Sequence, residues 1–164
     1  MADSTTQPTL IIPAFGGLYE GLRKFTYPLI RITTGLLLIP HGGSKLLGWF
    51  GSNIEGTVGF MAGFGLEPAR FWAYYIGTLE LVGGIMLILG LLTRVVAIQV
   101  LIFMLVAAFW VHINIGPGAA GPIGNWFWIT KGYEYPLMWA VLSLVVLIRG
   151  GGDYSVDKMI GKEF

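Results

Sequence analysis

The chain has no cysteine among its 164 residues. That excludes disulfides, cysteine-ligated iron–sulfur clusters and thiol catalysis by this chain, so any redox chemistry needs a bound cofactor or a partner. Charge is also scarce. Only 12% of residues are Asp, Glu, Lys or Arg, against about 25% in soluble domains. The net charge of +1 is spread out, which leaves no electrostatic footprint for nucleic acid. Histidine occurs twice, at 41 and 112. What is present instead is apolar: 55% hydrophobic residues and a mean hydropathy of +0.73 describe a polytopic membrane protein. The 25 glycines fit close helix packing in lipid, where small residues let backbones approach.

The stretch Tyr27 to Leu47 is long enough to cross a hydrocarbon core of about 30 Å as a helix, yet it holds Arg31, His41 and Lys45. These fall at i, i+10 and i+14 with Thr34 and Leu38 between them, so all five share one helix face. Ionisable side chains at membrane depth turn toward protein, water or ligand rather than lipid. The rest of the chain is expected to cover that face.

Residues 1–24 form a polar start, Met1 to Gln7, and a broken apolar segment, Thr9 to Leu22, which contains Pro13, Gly16 and Gly17. That segment is too interrupted to span and suits the membrane surface or a partly ordered linker. Residues 25–149 hold four predicted spans in an all-α, up-down-up-down bundle: Phe25 to Leu47, Arg70 to Leu92, Arg94 to His112 and Glu134 to Ile148. The second carries Ala73, Gly77, Glu80 and Gly84 on one stripe, placing a carboxylate near mid-membrane among small residues. The connections Gly48 to Arg70 and Asn114 to Tyr133 are read as long loops, and residues 150–164, with Gly150 to Gly152 as a flexible exit, as a cytoplasmic tail. Arg23, Lys24, Arg94, Arg149, Lys158 and Lys162 lie on one side of the spans, against Lys45, Arg70 and Lys131 on the other. The positive-inside rule therefore puts both termini in the cytoplasm of a bacterial or archaeal cell, and Trp49, Trp72, Trp110, Trp126 and Trp128 form a belt at the outer interface.

In this arrangement His41, Lys45, His112, Trp110 and Glu134 converge near the outer end, above a floor set by Glu80. An aromatic-lined pocket with hydrogen-bond donors and a group that exchanges protons near neutral pH suits a quinone head. Glu80 and His41 are the candidates for proton transfer; Lys45, Arg31, His112, Trp110 and Glu134 complete the candidate binding set. The alternative is structural: Glu80 pairs with Arg31 or a lysine, and His41 caps its helix. A haem b held by His41 and His112 is set aside because nothing in the spacing demands it, and no other metal site is expected. Four spans with no inverted repeat or broken helix pair give little support to a transporter.

Arg31 and Gly35, His41-Gly42 with Lys45, Glu80 before Gly83, Gly-Leu-Leu-Thr-Arg at 90–94, Glu134, and Gly-Gly-Gly-Asp-Tyr-Ser-Val-Asp at 150–157 together resemble the DoxX family of small four-helix membrane proteins. The resemblance runs from about Arg31 to Asp157. It implies association with membrane redox systems: DoxD-type relatives form part of a thiosulfate:quinone oxidoreductase, and others accompany oxidative-stress enzymes or terminal oxidases. The absence of cysteine and of a second domain speaks against thiosulfate oxidation by this chain alone. Two functions follow as expectations. One is a quinone-dependent oxidoreductase or its membrane subunit; the other is a non-catalytic accessory subunit docked on a larger respiratory or photosynthetic complex, or a homo-oligomer. Loops longer than about 12 residues usually contact something, which favours the second.

Overall fold

A computed structural model describes residues 9–116 and 119–163, and every regular element among them is helical. The expected tail at Met1 to Gln7 lies outside the described residues. We number the helices α1 (Gly16–Leu47), α2 (Ile54–Gly63), α3 (Ala69–Leu89) and α4 (Thr93–Asn114), α5 (Glu134–Arg149) and α6 (Val156–Ile160). Of these, α3 and α4 are long and apolar enough by themselves to cross a membrane.

Helix α1 and helix α3 run in opposite directions with their backbones in contact. A Cβ on Gly84 would sit 2.8 Å from the Gly35 carbonyl oxygen, and one on Gly42 would sit 2.7 Å from that of Gly77. Side chains are thus excluded along this seam, as in helix pairs packed on small residues. The stripe of Gly77, Glu80 and Gly84 therefore faces α1. Helix α4 packs beside α3, with Gly83 against Val96 and the Tyr75 hydroxyl donating to Gln99 Oε1 at 2.8 Å. Helix α5 closes the group against α4 and α1. The Trp139 indole donates to the Thr34 carbonyl at 3.4 Å, and the Tyr27 hydroxyl donates to the Gly150 carbonyl. The core between them holds Leu38, Leu79, Leu87, Val100, Met104, Trp139 and Val146.

Three segments differ from expectation. The helix of α1 starts at Gly16 rather than Phe25, because Leu18, Glu20, Leu22 and Arg23 are good helix formers and Glu20 pairs with Arg23 at i,i+3. Only Thr9 to Phe15 keeps the broken character, ending in a 3-10 turn at Pro13–Phe15. The first connection contains α2, started by Asn53, whose Oδ1 accepts from the Gly56 N–H at 2.8 Å. Met61 of α2 packs with Ala69, Ala73 and Ile76 in a second apolar cluster.

The third difference is at the C-terminal end, where residues 150–163 are packed beneath the bundle. Asp157 is 2% exposed. Its carboxylate accepts from the N–H groups of Leu92 at 2.8 Å and Thr93 at 2.9 Å, capping α4 where the helix dipole is positive. The flexible exit is instead a fitted corner. Gly150 has φ +69° and ψ −151°, a conformation open essentially to glycine alone, and the N–H of Gly151 is taken up by Glu163.

Candidate functional site

Arg31, Thr34 and Leu38 are each no more than 1% exposed. Thus far the predicted face of α1 is interior. At Arg31 the surroundings are backbone: its guanidinium donates to the carbonyls of Leu87 at 2.5 Å, Ile88 at 3.0 Å and Tyr154 at 2.5 Å. Those of Leu87 and Ile88 belong to the last turn of α3, so Arg31 serves as that helix's C-terminal cap from another helix. It does not reach Glu80.

Three turns further along α1 the same face opens onto a cavity of about 580 Å³. Lys45 Nζ lies 2.5 Å from Glu80 Oε2, with the carboxylate side chain 5% exposed and the ammonium side chain 18%. Lys45 also donates to the His41 carbonyl at 3.4 Å. This settles which cation pairs with Glu80. The other carboxylate oxygen, Oε1, makes no hydrogen bond among the described residues, and neither does the His41 imidazole. That ring stands edge-on to Trp139, with centroids 5.6 Å apart at 83°, and Trp139 is itself crossed by Tyr135 at 4.9 Å. A buried ion pair of this geometry anchors two helices and leaves one acceptor atom and one imidazole to meet a ligand.

His112 enters the wall from α4. Its Nδ1 lies 2.7 Å from the Lys131 carbonyl oxygen. A carbonyl can only accept, so Nδ1 carries the proton and Nε2 is the acceptor of the neutral ring. The carbonyl is presented by a turn in which Lys131 has φ +65°, a left-handed conformation that costs a non-glycine residue about 1–2 kcal/mol. Both helices that flank the cavity widen there into π turns, Leu79–Gly83 around Glu80 and Ala107–Val111 before His112. Such turns re-aim side chains and recur at functional sites.

The cavity thus gathers His41, Lys45, Glu80 and His112. It does not gather the other three candidates. Arg31 is at the far end of α1, Trp110 is 55% exposed on the outer surface of α4, and Glu134 accepts from the Trp128 N–H at 3.2 Å, holding the loop that precedes α5. The walls that sequence reasoning missed are Tyr135 and Trp139 of α5 and Phe60 and Met61 of α2. The aromatic pair carries a faint signal in its i,i+4 spacing; α2 carries none, because its glycines at 56, 59 and 63 read as loop. Among the described residues no three His, Asp or Glu side chains are grouped to hold a metal ion.

This is the construction of an integral membrane helical protein with a ligand-sized cleft. The chain belongs to the DoxX family, whose model matches residues 27–113. It is 35% identical over 134 residues to a protein of Bacillus subtilis (strain 168) named "Putative oxidoreductase CatD", covering 82% of this chain and 86% of that one. It is 31% identical over 144 residues to an uncharacterized protein of Haemophilus influenzae, covering 88% and 97%. It is 29% identical over 134 residues to the inner membrane protein YqjF of Escherichia coli (strain K12), covering 82% and 91%. No solved structure matches the chain.

Proposed function

We propose that this protein is a quinone-linked component of a membrane redox system, a bundle of four antiparallel spans whose cavity takes a quinone head near the outer face. The observation that carries this reading is the Lys45–Glu80 pair beside an imidazole free of hydrogen bonds, His41, in a cleft walled by Trp139 and Tyr135. Lys45 and His41 are donors for the head's carbonyl oxygens. Glu80 Oε1 and His112 Nε2 are acceptors for the hydroxyls of the reduced head. A quinone would supply a two-electron, two-proton acceptor. These side chains bind it, exclude bulk water and exchange protons with it, and the electrons come from a partner or a small reductant. The name oxidoreductase borne by the Bacillus relative agrees with this class.

Four spans are supported by the antiparallel contacts of α1, α3, α4 and α5, and by Tyr133 and Arg149 bracketing the short α5 at the interfaces. The six-to-three distribution of basic residues supports cytoplasmic termini. The exposed Glu55–Arg70 bridge, with Nη1 to Oε1 at 2.8 Å and Nη2 to Oε2 at 2.9 Å, is a polar pair suited to a headgroup level at the other end of the spans.

A second reading, an accessory subunit of a larger membrane complex or of a homo-oligomer, is favoured by the first turns of α1. No residue from Gly17 to Thr26 is buried, and Phe15, Leu18 and Leu22 form an exposed apolar stripe that ends at Phe25, whose ring stacks on Tyr154.

The test is native mass spectrometry of protein extracted from its own membranes in mild detergent and then titrated with a tailless benzoquinone. We expect a one-to-one adduct that weakens by about tenfold or more in Glu80→Gln and His41→Ala, a loss of about 1.4 kcal/mol or more, while the variants remain in the membrane. Binding unchanged in both variants, or no adduct on the parent protein, overturns the quinone reading. Recovery as one stoichiometric copy in a larger assembly without an adduct establishes the second.

A further inference from the structure

The cavity has two kinds of edge. Toward the loop before α5 its rim is polar, with Lys131 and Ser52. Between Phe60 of α2 and Val106 of α4 the lining is carbon only, Phe60 at 44% exposure and Val106 at 37%, with Phe103, Met104 and Ala107 beside them; the Thr57 hydroxyl lies about one turn of α2 nearer Ser52 and the polar rim. Phe103 packs against the Met61, Ala73 and Ile76 cluster and so forms the lower lip of this gap.

Depth decides what lies outside the second edge. Val106 is eight residues from the end of α4 at Asn114 and thirteen from its start at Thr93. At a rise of about 1.5 Å per residue it is roughly 12 Å below one end and 20 Å above the other. In a helix that crosses a core of about 30 Å, that is well inside the hydrocarbon. A gap beside an exposed Val106 opens into lipid. Glu80 lies ten residues past Arg70, about 15 Å down α3, so the ion pair and the gap are at similar depth.

A polar ligand finds no partner between Phe60 and Val106, whereas an alkyl or polyprenyl chain loses nothing by lying there. Resting on the quinone reading above, we propose that the ligand is a lipid-dissolved quinone with a long apolar tail, which reaches the cavity sideways from the bilayer between α2 and α4. The head sits at Lys45, Glu80 and His41, the tail occupies the gap, and Phe60 and Val106 set its width. Ligands that lack a tail have the polar rim as a separate way in.

The experiment compares two ligands on protein in lipid nanodiscs, with adducts counted by native mass spectrometry after release. One is a polyprenylated benzoquinone supplied in the bilayer; the other is the same head without a tail, supplied in water. Val106→Trp and Phe60→Trp narrow the gap from its two sides. Leu105→Trp, on the neighbouring lipid-exposed position outside the cavity, is the control. The expected result is that both gap variants lose the tailed adduct by about tenfold and keep the tailless one, while Leu105→Trp keeps both. If both gap variants keep the tailed adduct, or lose the tailless one equally, the lateral route is overturned while the quinone site stands. If the parent protein takes up neither ligand, the quinone reading itself fails.

Discussion

The two ends of α1 carry the same kinds of residue and treat them in opposite ways. At the Arg31 end the buried cation spends its donors on backbone carbonyls of α3 and of the C-terminal segment, and Asp157 caps α4 alongside. The donors left over there, Arg31 Nε, Thr93 Oγ1 and Arg94 Nε, are sealed inside the protein without a partner among the described residues. At the Lys45 end the cation meets one carboxylate oxygen, an imidazole has only an aromatic edge for a neighbour, and a cavity lies in front. What separates the two ends is access: unused hydrogen-bonding capacity is sealed in protein at the Arg31 end and faces a cavity at the Lys45 end.

The largest effect is expected at Arg31. Arg31→Ala leaves three carbonyls without their donor, that of Leu87 buried and those of Ile88 and Tyr154 partly so, and a void beneath α6, and we expect a stability loss of about 3 kcal/mol, read as loss of the folded monomer in detergent thermal unfolding. Next is Lys45→Met, which strands Glu80. It should cost about 3 kcal/mol, most of it recovered in the Lys45→Met, Glu80→Gln double variant, where no buried charge remains. The quinone adduct should be absent from both. Stability that recovers together with binding contradicts the division between the two ends. Asp157→Asn keeps the shape of the cap and removes its charge, for an expected loss of about 1 kcal/mol. Combined with Lys45→Met it should add without coupling, because Asp157 lies at the Arg31 end, and Arg31 and Lys45 are about 21 Å apart along α1. The smallest effect is Glu55→Gln. The bridge to Arg70 is about 60% exposed on both sides, so we expect less than 1 kcal/mol and unaltered binding.

Much of this was legible in the residues. The spacing of Arg31, Thr34 and Leu38 defines an inward face, which reaches the cavity through the half-buried Lys45 and the exposed His41, and the small residues on the Glu80 stripe foretell a tight helix contact. Helix periodicity, however, gives a direction and not a partner. Arg31 and Lys45 share a face, and what separates them is whether the facing groups are the carbonyls at 87, 88 and 154 or the carboxylate at 80. Those groups lie 35 to 123 residues away in sequence. Helix α2 was hidden because Gly56, Gly59 and Gly63 look like loop; its helix rests on the Asn53 cap and on packing against α3. The C-terminal segment was hidden by polarity. Its order depends on Asp157 meeting two backbone N–H groups that exist as free donors only once the 90–93 turn has formed.

That last contact has a consequence for synthesis. Gly90, at φ +68°, is pressed against both Arg31 and Ser155, with no room for a Cβ between them, and its carbonyl receives the N–H of Asp157. The first long helix, the middle turn and the last short helix therefore lock at a single point. During synthesis residues 156–160 emerge after all the longer helices, which by then can already meet along the Gly35–Gly84 seam and through Arg31. The three-way pin at Gly90 is therefore the latest of these contacts that can form.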